Sequence, residues 1–164
     1  WYTGLSRGRI ACHLSHMKAL KTFLNSTNKT CLIFEDDIKM LDKNKTINNF
    51  IESFRLLPKH WEYVNLGRCF DNCATQTVYN NRIVKSVSSL CRHAYIVNRS
   101  GAKKILDYCL PMKGYPGDHH YAEMVEKNLI NGYSTKEQIF FQNREELGTT
   151  LGNKGQNLTC STPF

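Results

Sequence analysis

No stretch of this sequence is apolar for long enough to cross a bilayer, which takes about 20 consecutive mainly apolar residues, so none of it reads as a transmembrane helix. There is no internal repeat, which sets aside solenoids and propellers, and no Walker-type loop, the commonest backbone cradle for a nucleotide phosphate. Acidic residues are scarce. Fourteen Asp and Glu stand against 22 Lys and Arg, a formal charge of +8 that favours anionic partners: nucleic acid, acidic membrane surfaces or phosphorylated small molecules. The bases are scattered, as in Lys18, Lys21, Lys29, Lys39, Lys43, Lys45, Lys103 and Lys104, with acids between them. A compact basic stripe interleaved with aromatics is missing, so nucleic acid is not the expected partner.

The 164 residues, 41% of them hydrophobic, suffice for one α/β domain with a real core. The chain starts at Trp1 and runs straight into Tyr2-Thr3-Gly4-Leu5 with no signal-like segment, and it reads as a piece lacking its natural start.

Where acids are few, three in a row stand out. In Cys31-Leu32-Ile33-Phe34-Glu35-Asp36-Asp37-Ile38 a run of strand formers ends in carboxylates, at the end of a strand where α/β sheets bind ligands. Adjacent carboxylates repel unless a positive charge sits among them, and a hard divalent cation with oxygen ligands is the usual remedy. In extended backbone Glu35 and Asp37 share one side and Asp36 takes the other. A solvated turn whose last acid caps the next segment fits the same residues.

Along the chain, Ile10, Leu14, Met17, Leu20, Phe23 and Leu24 recur at helical spacing, predicting a helix over 8–24 with Ser15 and His16 in its middle. His16 is either a buried, hydrogen-bonded histidine or part of a site. Asp42 to Thr46 reads as a polar connection, after which Ile47, Phe50, Ile51 and Phe54 predict a helix that stops at Pro58. Strands are predicted at Trp61 to Gly67, near Arg82 to Val87, at Leu90 to Val97 and at Glu137 to Phe141. Ser100 is the expected cap of a helix reaching Cys109, and Pro116-Gly117-Asp118 opens a helix through Leu129. Asp118 is then either the N-cap or a carboxylate presented from a stiff loop. The domain spans 1–143, and 144–164 reads as a loose tail.

Seven cysteines are many for this length. Disulfides among Cys69, Cys73, Cys91 and Cys109 compete with a zinc site built from Cys69-x-x-x-Cys73 and Cys91-x-His93. Sequons at Asn25, Asn28, Asn44, Asn98 and Asn157 favour the oxidising alternative and a secretory lumen.

Four blocks in order, Gly8-Arg9-Ile10-Ala11-Cys12-His13-Leu14-Ser15-His16, Leu32-Ile33-Phe34-Glu35-Asp36-Asp37-Ile38, Trp61-Glu62-Tyr63-Val64-Asn65-Leu66-Gly67 and His93-Ala94-Tyr95-Ile96-Val97 with Gly101-Ala102-Lys103-Lys104, resemble glycosyltransferase family 25. Lipooligosaccharide and collagen galactosyltransferases make up this family, and the match reaches about Asn143. The resemblance implies an α/β GT-A fold, Rossmann-like and binding a nucleotide sugar, whose first strand is missing ahead of Trp1. It also implies inverting transfer of a hexose such as galactose from a UDP-sugar to a hydroxyl acceptor on a glycan or protein, with Mn2+ or another divalent cation. Carried over, Glu35 and Asp37 hold the metal, Asp36, Ser15 and His16 belong to the donor side, and Asp118 is the base. A bacterial-type member would be cytoplasmic. Two other readings keep the same residues: a non-catalytic nucleotide-sugar-binding domain, and a different metal-dependent phosphodiester or nucleotidyl enzyme drawing on His93 and His119.

Overall fold

The computed structural model describes residues 5–71 and 73–148. Helix α1 (Arg7–Leu24) starts where the Ser6 hydroxyl accepts the Arg9 N–H at 3.4 Å, and its buried residues His13, His16, Met17, Leu20 and Phe23 form one stripe. Strand β1 (Thr30–Phe34) follows, then β2 (Ile38–Lys39) and helix α2 (Lys43–Arg55). Next come β3 (Tyr63–Asn65), β4 (Thr77–Val78), β5 (Ile83–Lys85) and β6 (Ala94–Asn98). Helices α3 (Arg99–Cys109) and α4 (Gly117–Glu126), strands β7 (Gly132–Thr135) and β8 (Phe141–Gln142), and the helical turn α5 (Arg144–Leu147) complete the described chain.

Six strands form one sheet in the order β1-β6-β3-β7-β5-β4, and β2 pairs with β8 apart from it. Only β3 and β7 run parallel; every other pairing is antiparallel. Successive side chains on a strand face opposite ways, so Tyr63, Tyr95 and Val97 join Met17, Leu20, Ile105 and Met124 in one core. Val64 and Ile96 join Phe50, Trp61 and Phe140 in a second core on the other face. Three layers result, with α1, α3 and α4 on one face and α2 on the other.

Several predicted boundaries move, each for a local reason. Helix α2 begins at Lys43 because the Asp42 carboxylate accepts the Lys45 N–H at 3.0 Å, turning the expected polar connection into a capped first turn. Only part of its apolar stripe is packed: Phe50 joins the second core beside the buried Thr46 and Ser53, whereas Ile47, Ile51 and Phe54 are about 40% exposed. Asn98, not Ser100, caps α3 by accepting the Gly101 N–H at 2.9 Å, while the Ser100 hydroxyl donates to Glu62 at 2.6 Å. The strand expected at Glu137 to Phe141 reduces to Phe141–Gln142, and the polar Gly132–Thr135 instead fills a central place, buried at every position. Residues 144–147, placed in the tail by sequence, form α5; residues 149–164 lie outside the described chain.

Cys69 and Cys91 form a disulfide and Cys73 is also disulfide-bonded, while Cys12, Cys31 and Cys109 are free. The zinc alternative for this region falls, since His93 directs Nε2 to the Phe140 carbonyl at 3.0 Å and its neighbour Cys91 is already bonded to sulfur.

Helix α3 sits so close to β3 that a Cβ on Gly101 would come within 2.3 Å of the Glu62 carbonyl oxygen, and backbone cannot step aside as a flexible side chain can. Gly101→Ala is therefore expected to cost about 1–3 kcal/mol in urea denaturation. Gly114→Ala, whose Cβ would meet nothing within 4 Å, should change stability by less than about 0.5 kcal/mol. Equal effects at the two positions would contradict this packing.

Candidate active site

Strand β1 ends by fixing Glu35, whose N–H donates to the His93 carbonyl at 2.8 Å, and the chain turns through Asp36 and Asp37 into β2. Glu35 and Asp37 are half-buried and Asp36 is exposed, the alternation expected of an extended start. All three line a cavity of about 760 Å³ together with Cys12, Ser15 and His16 of α1 and with Gln142 and Arg144 from the far end of the described chain. This volume lies in the range of small-molecule sites.

His16 is the hinge of the cluster. Its Nε2 lies 2.9 Å from Glu35 Oε1 and its Nδ1 lies 3.2 Å from the Tyr95 hydroxyl. Burial, and then the Arg92 charge, lower its pKa below the usual imidazole range despite the carboxylate beside it. Burial acts to raise the pKa of Glu35, but the His16 hydrogen bond and nearby positive charge outweigh it and hold the carboxyl below its usual range. Full positive charge on His16 would lower Glu35 further, yet burial and Arg92 oppose that charge. A neutral imidazole satisfies both trends, with Nε2–H donating to an ionised Glu35 and Nδ1 accepting the Tyr95 O–H. Burial keeps that phenol protonated, far above its ordinary range.

The Cys12 thiol also donates to Glu35 Oε1, at 3.7 Å. Burial, and then the Glu35 charge, push it up to about 11, so at neutral pH it is a thiol and not a nucleophile. Asp37 is raised by burial and by Glu35; Gln142 Nε2 donates to its Oδ2 at 3.0 Å. Its Oδ1 is buried and has no partner among the described residues. An orphaned carboxylate oxygen is the kind of donor a hard cation uses, but the three acids do not converge on one point: among the described residues only Cys12, His16 and Glu35 bring three candidate ligand atoms within 4.8 Å of one another.

Ser15 lines the same cavity, but its hydroxyl donates back to the Ala11 carbonyl at 3.0 Å. Asp118 stands apart from the lining. It lies in the first turn of α4, where Pro116 is the N-cap and no side chain caps, and its Oδ2 accepts the Cys91 N–H at 3.1 Å. Arg92, 6% exposed, has its guanidinium 5.0 Å from the centre of the Tyr121 ring and is near enough to both Asp118 and Glu35 for charge to act between them. Burial works against its charge, but nearby groups, the Asp118 carboxylate among them, outweigh burial, so it stays charged. Gly117 is required by this arrangement, because a Cβ there would meet Arg92 Nη2 at 2.5 Å and His13 Nδ1 at 2.4 Å.

Sequence reasoning missed Arg92, Cys12, Gln142 and Arg144. An arginine inside a predicted strand, and a cysteine one helical turn before His16, were visible signals. Nothing local marks Gln142 or Arg144.

A mixed, mostly antiparallel sheet covered by helices on both faces, with carboxylates at a strand end lining a cavity, is an α/β architecture compatible with a Rossmann-like fold. The sequence model described as "Glycosyltransferase family 25 (LPS biosynthesis protein)" matches residues 2–125, and the chain belongs to this family of glycosyltransferases. The curated relatives include procollagen galactosyltransferase 1-A of Xenopus laevis, 25% identical over 80% of the chain, and procollagen galactosyltransferase 1-B of the same organism, 24% identical. The chain spans about a fifth of their length, 22% in each case. A further relative, the crossover junction endodeoxyribonuclease RuvC of Ehrlichia chaffeensis, is 29% identical over 72% of the chain and 73% of its own length. Among the described residues no helix is long and apolar enough to cross a membrane.

Four buried histidines, His13, His16, His93 and His120, all have lowered pKa values, His120 down to about 4, with burial the largest cause in each. The unfolded chain takes up these protons first as pH falls below about 6.5, so stability present above that value is lost on the way down to the folded pKa values. The urea midpoint should be level above about pH 7 and fall steadily toward pH 4. Both ring nitrogens of His120 are buried without a partner among the described residues, so His120→Phe should flatten the decline. An unchanged slope would remove His120 from this account.

Proposed function

We propose that this domain transfers a hexose, galactose by analogy with the procollagen galactosyltransferases, from a UDP-sugar to a hydroxyl acceptor on a glycan or protein, with inversion, in a GT-A type site. The observation that supports this most is the convergence of Glu35, Asp36 and Asp37 with Ser15 and His16 on one cavity. Glu35 and Asp37 would hold a divalent cation, Mn2+ by the family's habit, with Asp36 on the donor side. When bound, that ion supplies Lewis-acid neutralisation of charge on the departing diphosphate. His16 keeps Glu35 ionised and oriented, and Tyr95 keeps His16 in the donating tautomer. Ser15 and Ala19 form the α1 wall of the donor cavity, and Gln142 fixes the rotamer of Asp37. Asp118 takes the proton from the attacking hydroxyl, which approaches from the α4 side of Arg92. The Cys69–Cys91 disulfide supports an oxidising compartment such as the secretory lumen.

The likeness to RuvC favours a second reading, metal-dependent phosphodiester hydrolysis. Two-ion hydrolysis needs additional acids or imidazoles at neighbouring strand ends. His119 is exposed, and His93, though near enough for its charge to act on Glu35 and Asp37, directs Nε2 to the Phe140 carbonyl and belongs to no gathered set of three ligands among the described residues.

With UDP-galactose and Mn2+, donor hydrolysis or transfer should be measurable and Asp37→Asn should abolish its metal dependence while leaving the circular dichroism spectrum unchanged. Asp118→Asn should lower kcat by about 10²–10⁴ with little change in donor KM. Full turnover by Asp37→Asn would place the cation elsewhere. Metal-dependent cleavage of branched DNA by the wild type, without sugar-nucleotide turnover, would establish the second reading instead.

A further inference from the structure

The geometry points to a second kind of metal chemistry in this cavity: Cys12, His16 and Glu35 form a three-ligand site for a zinc-class ion, its fourth position open to the cavity. One ligand atom from each, sulfur, imidazole nitrogen and carboxylate oxygen, lies within 4.8 Å of the other two, and no other set of three is so gathered among the described residues. Cys12 and His16 are one helical turn apart on α1, so a rigid element sets their spacing, and β1 brings Glu35 opposite. Thiolate, imidazole and one carboxylate are the ligand types of tetrahedral zinc sites that keep an open position. The same set suits Mn2+ or Mg2+ poorly, because those ions prefer oxygen.

The protons balance. Binding expels the Cys12 proton to solvent, and the His16 proton moves from Nε2 to Nδ1, where it is donated to the Tyr95 oxygen 3.2 Å away. Tyr95 then turns its own O–H toward the Tyr121 hydroxyl at 3.5 Å. Thiolate and carboxylate together neutralise the dication, and Tyr95 supplies the outer hydrogen bond that metal-bound imidazoles need. Because a thiol proton must leave, only an ion with high thiolate affinity is held, and binding strengthens as pH rises.

The inference shares His16 and Glu35 with the proposed donor site, but its test reads binding alone and can fail without that reading failing. Cobalt(II) titrated into the whole chain should give a stoichiometric thiolate-to-cobalt charge-transfer band that zinc displaces. Cys12→Ser should abolish the band, and Asp37→Asn, which leaves all three ligands in place, should retain it. In the unaltered protein, zinc should block alkylation of Cys12, mapped by mass spectrometry, while the half-buried Cys31 stays reactive. This last measurement needs no variant to fold. Absence of the band in the wild type, its survival in Cys12→Ser, or equal alkylation of Cys12 with and without zinc would each overturn the site.

Discussion

A buried guanidinium dictates much of how this domain is arranged. Arg92 stays charged while almost wholly out of water, and an isolated buried charge is among the costliest things a fold can contain. Its surroundings offset part of that cost: the Asp118 carboxylate stands near enough to favour its charge and the Tyr121 ring lies 5.0 Å from the guanidinium, while Nη1 has no hydrogen-bond partner among the described residues. The same positive charge lowers Glu35 and opposes protonation of His16, His13 and His120. One arginine thereby favours an ionised acid beside neutral imidazoles.

Antiparallel pairing of β1 with β6 brings this charge to the acids. The register that sets Phe34 opposite Ala94 puts Glu35 beside His93, where the two backbones share a hydrogen bond, and puts Arg92 one residue further along. Across the sheet face, α1 contributes His13 and His16 from its buried stripe, and α4 closes over them because Gly117 has no side chain to collide with Arg92 or His13. The site is thus a junction of four elements, and its rigidity comes from packing that a single Cβ would disrupt. The proposed donor pocket would benefit from this, since bound groups held without reorganisation need less ordering at the moment of reaction.

The Cys69–Cys91 bond has a related part. It ties the loop after β3 to the segment leading into β6, just ahead of Arg92, and Cys69 and Leu90 exchange backbone hydrogen bonds beside it at 3.2 and 3.1 Å. The Cys91 N–H is also the donor that holds Asp118. Oxidation state in this region therefore bears on where the proposed base stands.

Periodicity and composition alone determined the α/β class, the helices over 8–24 and around Ile47 to Phe54, and the acid-tipped strand, because each depends on spacing along a local stretch. The alternation of Glu35, Asp36 and Asp37 was legible for the same reason. The family likeness was legible too, being carried by contiguous blocks. Tertiary structure decided the rest. Gly132–Thr135 carries a single large apolar residue, Tyr133, too weak a signal on its own, yet it lies mid-sheet, since burial there comes from strands and helices distant in sequence. The stripe of α2 looked buried throughout, but only Phe50 of it packs on the core, beside Thr46 and Ser53, because burial depends on what the sheet presents to the helix. Asp118 looked like either a cap or a base, and packing of α4 against Cys91 made it neither a cap nor a lining residue of the cavity. The joining of Cys12 to His16 and Glu35, the charge of Arg92 behind them and the hold of Gln142 on Asp37 depend on contacts between residues up to 105 positions apart, and no local pattern in a sequence encodes such distances.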